Sequence, residues 1–275
     1  QEWHLDCRTP RVNEVDPINF FAGSRRAKAM CKREVSFLCL CSDGLYEFKR
    51  EWNSFVPSKF FRNHSVTQLA CGASHTLVLC DDGLYGFGSN KQGQLGISRS
   101  LYQLCSNVMG NDLYYPSPQL LSFFSGMRIL SIHCGKDYSL VITCNVEKES
   151  VVFMFGACSE VFSQNKVFVP TSIPELRGKQ IVNVYNTYDY CFCVCQDEVY
   201  GFGNGLRCGT TSFKGGVNRL PEIENLHIQN ISGGKRFAVL QAEEGLYCLG
   251  DNTSGQLGIE RPLGYITEPM LHPFF

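Results

Sequence analysis

The residues of this chain most able to do chemistry are its thiols, fifteen in 275 residues. Two runs set them at alternate positions, Cys39-x-Cys41 and Cys191-x-Cys193-x-Cys195. Alternate side chains of an extended strand share a face about 6.5–7 Å apart. Two thiolates on one tetrahedral zinc ion lie only about 3.8 Å apart. A flat strand is thus a poor chelate, and these cysteines read as small packing residues, with no metal and no cofactor expected. His75 stands between Cys71 and Cys80. Nucleophilic catalysis needs a base within reach of a nucleophile and a third group to orient it. The sequence supplies no such set, so His75 reads as a structural hydrogen-bonding residue at a strand start, and no enzymatic activity is expected. The glycine-rich run Gly201-Phe-Gly-Asn-Gly205 has no helix signal after it, which argues for a turn over a phosphate cradle.

The elements that carry these residues follow from an internal repeat. Asp43-Gly-Leu-Tyr-Glu-Phe48, Asp82-Gly-Leu-Tyr-Gly-Phe87 and Glu244-Gly-Leu-Tyr-Cys-Leu249 are copies of one phrase, with looser copies at 198–203 and 151–156. Each follows an apolar, β-prone run: 36–41, 75–80, 139–144, 191–195 and 237–241. Run, turn, run is a β-hairpin, and the acidic-Gly pair supplies the positive φ of a tight turn. Short strands of alternating polarity precede most pairs, at 66–70, 129–133, 181–185 and 228–232. Units of three or four short strands, repeated every ~50 residues, predict an all-β fold, a β-propeller of five blades. A β-sandwich is the alternative, but nothing in a sandwich requires five copies of one phrase. The hairpin strands beginning near Ser36, His75, Ser139, Cys191 and Phe237 are expected innermost, with Leu77, Leu79, Leu140, Ile142, Val194 and Leu240 buried.

Composition excludes some classes. A formal net charge of -1 is unlike a nucleic-acid binder. The one basic cluster, Arg25, Arg26, Lys28, Lys32 and Arg33, leaves nucleic acid or chromatin contact to Arg25, Arg26 and Lys28 at most. No apolar run of ~18 residues marks a membrane span. The cysteines read as reduced thiols of a cytoplasmic or nuclear protein.

Two longer phrases add a resemblance. Gly86-Phe-Gly-Ser-Asn-Lys-Gln-Gly-Gln-Leu-Gly96 and Leu249-Gly-Asp-Asn-Thr-Ser-Gly-Gln-Leu-Gly258, with Cys71-Gly-Ala-Ser-His-Thr-Leu-Val-Leu79, resemble the repeat of the regulator of chromosome condensation family. Segments 69–96 and 231–258 match it well; 129–156 and 181–209 keep the strands and lose the Gly-Gln-Leu-Gly box; 28–49 keeps little beyond its hairpin. The family's founding member has seven blades, whereas this sequence supplies five hairpins. One domain over 1–275 is expected, with repeats at 28–65, 66–128, 129–180, 181–227 and 228–275, and with 1–27 closing the ring on the last blade.

The resemblance also places a candidate surface. The two residues before the repeat's His position are Lys136-Asp137, Tyr188-Asp189 and Lys235-Arg236 in successive repeats, which puts them on one face. In nucleotide-exchange members of the family this loop carries acidic residues that meet the GTPase, and Asp137 and Asp189 match that position. An insertion at 100–117 offers Leu101, Tyr102, Leu104, Met109, Leu113, Tyr114 and Tyr115 for partner contact. The function expected is a protein-binding module that uses Lys136, Asp137, Tyr188, Asp189, Lys235, Arg236, Tyr114 and Tyr115. The alternative is a guanine-nucleotide exchange factor for a small GTPase.

Overall fold

The computed structural model describes residues 26–32, 37–49, 54–98, 113–158, 161–162, 165–187, 190–203, 216–234, 237–260 and 264–273. The strands form five separate four-stranded sheets, each built from strands consecutive in the chain. The first sheet is β1 (Ala27–Lys32), β2 (Phe37–Cys41), β3 (Gly44–Lys49) and β4 (Ser54–Pro57). The second is β5 (Val66–Cys71), β6 (His75–Cys80), β7 (Gly83–Ser89) and β8 (Tyr114–Leu120). The third is β9 (Arg128–Cys134), β10 (Tyr138–Cys144), β11 (Ser150–Ala157) and β12 (Lys166–Ser172). The fourth is β13 (Ile181–Asn186), β14 (Tyr190–Cys195), β15 (Val199–Gly203) and β16 (Asn218–Arg219). The fifth is β17 (Ile228–Gly233), β18 (Phe237–Ala242), β19 (Gly245–Asp251) and β20 (Tyr265–Leu271). All neighbours within a sheet are antiparallel.

The repeated phrase explains the hairpins. Gly44, Gly83 and Gly245 follow the acidic residue of each turn at φ +145, +151 and +139, a backbone that other residues rarely adopt. Alternation then divides each second strand between two faces. In β6, Leu77 and Leu79 pack with the third blade, while Val78 and Cys80 pack with the first. A second strand covered on both faces must be apolar throughout, and all six residues of β6 are buried.

The innermost strands are not the ones expected. The contacts between successive sheets run β1 to β5, β5 to β9, β9 to β13 and β13 to β17. The first strand of every sheet therefore lies at the inner edge, and β2, β6, β10, β14 and β18 stand second. Leu77, Leu79, Leu140, Ile142 and Leu240 are buried, whereas Val194 is half-buried. Each first strand also carries a bulge near its start, between Ala27 and Ala29, Val66 and Gln68, Ser131 and Ile129, Ile181 and Asn183, and Ile228 and Asn230. A bulge bends its strand and increases the local twist, which suits a strand at a crowded axis.

Apolar clusters join the first sheet to the second, the second to the third, the third to the fourth and the fourth to the fifth. Two further clusters belong to one sheet each: Cys39, Cys41, Tyr46 and Phe55 on the first, and Cys248, Leu257, Ile259 and Ile266 with their neighbours on the fifth. Among the described residues no cluster links the first sheet to the fifth. The segment expected to close the ring, 1–27, falls mainly on 1–25, outside the described residues. Ala27, the last residue of that segment, belongs to β1 and pairs with Cys41.

The Gly-Gln-Leu-Gly box is an inter-blade device. Asn90 Oδ1 accepts the Leu95 amide at 3.0 Å and Asn90 Nδ2 donates to Ile97 O at 2.9 Å, which folds the box onto itself. Leu95 is then fully buried between the second and third blades. A Cβ on Gly93 would lie 2.4 Å from Val167 O in β12, so only glycine allows this approach. Asn252 repeats both bonds with Leu257 and Ile259 in the fifth blade.

Candidate partner-binding face

In every sheet the end of the first strand and the start of the second lie at one end, because each sheet has the same strand order and direction. In the third blade the loop joining them carries Lys136 and Asp137. Lys136 O accepts the Ala73 amide of the preceding blade at 3.0 Å, and Asp137 O accepts the Ala157 amide at 2.9 Å. The main chain is thus held from two sides while both side chains stay half-exposed. Lys136 Nζ lies 3.6 Å from Asp137 Oδ2, a surface ion pair of small energetic worth that shapes the local charge.

Of the other loop residues, Tyr188, Asp189, Lys235 and Arg236 lie outside the described residues, as does most of the insertion, 99–112. Its last residues enter β8, where Tyr114 pairs with Ser89 and Tyr115 with Gly88. Strand alternation separates the two tyrosines. Tyr114 is 36% exposed at the same end as the loops, while Tyr115 is 1% exposed and packs in the core between the second and third blades. Tyr115 is therefore a core residue, a correction to its expected place at a partner surface. Arg26 and Lys28 are exposed, but Arg26 sits at the opposite end, where its carbonyl accepts the Ser42 amide of the β2–β3 turn at 2.9 Å; Arg25 lies outside the described residues.

His75 does not face solvent. Its Nε2 lies 2.9 Å from Ser139 Oγ, and Ser139 Oγ donates its single proton to Gln94 O at 2.7 Å. The imidazole must therefore donate to the serine, the reverse of what a general base does. Both residues have no exposed surface, so no substrate reaches them. The pair is a bond between the second and third blades. Tyr138 Oη donates to Asn186 Oδ1 at 3.1 Å and Tyr185 Oη to Gln229 O at 3.0 Å, joining the next blades in the same way.

The thiols pack, with one departure from expectation. Cys39 Sγ and Cys41 Sγ lie 3.5 Å apart, not near 7 Å, because the two side chains lean together in a fully buried pocket against Tyr46 and Phe55. Burial and the neighbouring thiol push Cys39 up to about 12. No disulfide joins the twelve described cysteines. A different group was invisible to the strand-by-strand reading: His64, Cys80 and Asp82 each place a donor atom within 4.8 Å of the others. The three come from a connector, a strand end and a turn, and no linear spacing announces them.

The five sheets in series, each with its inner strand against the next and its loops at a common end, define a β-propeller. The chain is a regulator of chromosome condensation repeat protein. The family model described as regulator of chromosome condensation (RCC1) repeat matches residues 81–142, and a second model of that repeat matches 66–94. A human RCC1-like G exchanging factor-like protein is 27% identical over 205 residues, covering 70% of this chain and 41% of its own length. The chain thus spans about two-fifths of that relative. Human WBSCR16 superposes with a TM-score of 0.70 at 22% identity, over 91% of this chain and 67% of its own. Prp20p from Saccharomyces cerevisiae, described with its binding to Gsp1p and histones, superposes at 0.66 with 17% identity, over 90% and 63%. Both superpositions speak to the fold alone. Among the described residues no helix is long and apolar enough to cross a membrane.

Proposed function

We propose that this propeller is a protein-binding module that engages its partner through the loops between first and second strands. The supporting observation is the Lys136–Asp137 loop, whose main chain is fixed by hydrogen bonds from Ala73 and Ala157 while its charged side chains remain half-exposed. A fixed backbone lowers the entropic cost of binding, and rim charges steer association. Tyr114, at the same end, supplies aromatic surface. The reading includes Tyr188, Asp189, Lys235 and Arg236 by their equivalent place in the repeat.

A second reading makes the partner a small GTPase whose nucleotide release the propeller accelerates without covalent chemistry. The name of the human relative favours it. The test is to capture partners on the intact chain and on Asp137→Lys, then to measure nucleotide release if the partner is a GTPase. Partner loss in the folded variant supports the binding face. Faster release with the intact chain and not with Asp137→Lys supports exchange. Binding unchanged in Asp137→Lys, Tyr114→Ala and Tyr188→Ala together would sink the face.

A further inference from the structure

We propose that His64, Cys80 and Asp82 form a site for zinc or a zinc-class divalent transition metal at the end of the propeller opposite the Lys136–Asp137 loop. The donors are an imidazole, a thiol and a carboxylate, all within 4.8 Å of one another. This nitrogen, sulfur and oxygen set suits a borderline-soft ion bound at about 2.0–2.3 Å, so closure needs only small side-chain movements.

Parts of the arrangement recur elsewhere, and the recurrence isolates what is special. A turn carboxylate accepts from the repeat's tyrosine in three blades: Asp43 from Tyr46 at 2.9 Å, Asp82 from Tyr85 at 2.7 Å and Glu198 from Tyr200 at 3.0 Å. A cysteine ends the second strand in four blades, at Cys41, Cys80, Cys144 and Cys195. The fifth blade ends this strand in Ala242 and has a histidine-carboxylate pair, His227 Nδ1 to Glu244 Oε1 at 2.6 Å. Among the described residues only the second blade has all three ligand types together. These repeating contacts are structural, but the trio is not required by the repeat.

The surroundings prepare the ligands. The His64 ring stacks on Phe60 with centroids 5.3 Å apart and 3° between planes, and meets Tyr85 edge-on. Its Nδ1 is 3.0 Å from Asp82 Oδ2. Tyr85 Oη holds the Asp82 carboxylate in place, as outer hydrogen bonds do for metal-binding carboxylates. Cys80 is buried, and burial together with the Asp82 and Asp81 carboxylates pushes its thiol up to about 12. A cation reverses that penalty: the ion takes the thiolate, the neutral imidazole and the carboxylate, and the thiol proton leaves to solvent. Because His64 belongs to the connector between the first two blades, a bound ion would staple that connector to the β6–β7 turn.

The test uses cobalt(II) as a coloured substitute for zinc. Added to the intact chain, it is expected to give a thiolate-to-cobalt charge-transfer band that saturates at one ion per chain and is bleached by zinc, with release of about one proton. Cys80→Ser should abolish the band. His64→Gln, at a partly exposed ring that leaves the core intact, should weaken binding by roughly 10–100-fold or more. His227→Gln should change nothing, because that pair lacks the thiol. If Cys80→Ser does not fold, His64→Gln alone decides. The proposal is overturned if no band forms at stoichiometric metal, or if a band keeps its full affinity in His64→Gln.

Discussion

His75 Nε2 and Ser139 Oγ, 2.9 Å apart, join the starts of the second strands of two successive blades. Ser139 passes its own proton to Gln94 O, the residue before the Leu95 anchor, so the bond runs from one blade through the next and back to the box. A buried chain of this kind is costly to break, because removing one member leaves polar groups without water. His75→Ala is expected to cost about 1–3 kcal/mol, read as a lower urea midpoint at unchanged slope. Partner binding by the folded variant should be unaffected. A variant as stable as the native chain would show that the bond is idle.

Tyr114 and Tyr115 are neighbours in sequence with opposite fates. Tyr115→Ala should destabilise by about 3–5 kcal/mol, as large aromatic truncations in cores do. Tyr114→Ala should stay within about 0.5 kcal/mol, in keeping with a surface change. Leu77→Ala, with no exposed surface in the same core as Tyr115, should cost about 2–5 kcal/mol. Chemical denaturation of the three variants side by side checks the register of β8. Equal losses at the two tyrosines would mean that this register is wrong.

The hairpins were legible because one acidic-Gly-Leu-Tyr phrase states turn, strand and orientation at once. Their place in the blade was not. The most apolar strands do not lie at the axis, because hydrophobicity marks a strand covered on both faces, not one near the centre. β6 is buried at every residue because blades lie on either side of it, whereas β5, at the inner edge with one edge unpaired, is buried only at Ala70. The site followed the same logic. Lys136 and Asp137 could be placed at one end by counting along the repeat. Tyr115 could not be separated from Tyr114 without the register that the bulge between Gly86 and Gly88 sets. The 3.5 Å approach of Cys39 and Cys41 depends on side-chain rotamers, which spacing along a strand does not encode.

Burial pulls the His133 imidazole down to about 4. The folded state therefore resists a proton that the unfolded chain accepts near its ordinary value of about 6.5. Between those two values the unfolded state binds more protons, so stability should rise with pH, and it should fall as the solution is acidified from about 6.5 to 4. His227, raised by its bond to Glu244, acts in the opposite sense: its contribution is present at low pH and fades as pH rises through its folded value. The difference between the native chain and His133→Asn separates the two. Urea midpoints taken from pH 4 to 7 should show a shallower acid loss in the variant. Parallel curves would assign the acid loss to other groups.

Gly93 and Gly255 occupy the same position in two copies of the box, and their surroundings differ. Both have positive φ, +92 and +70, so an alanine at either strains the backbone by about 1–2 kcal/mol. At Gly93 the new Cβ also meets Val167 O at 2.4 Å, across the contact with the third blade. At Gly255 it meets nothing within 4 Å, because the fifth blade has no described neighbour beyond it. Gly93→Ala must push two blades apart or distort the box, while Gly255→Ala bears the backbone strain alone. Thermal melts should therefore show a clearly larger loss for Gly93→Ala, with Gly255→Ala limited to the strain term. A Gly255→Ala loss as large as that of Gly93→Ala would mean that the box of the fifth blade docks against something in solution, and the run of inter-blade contacts would continue past β20.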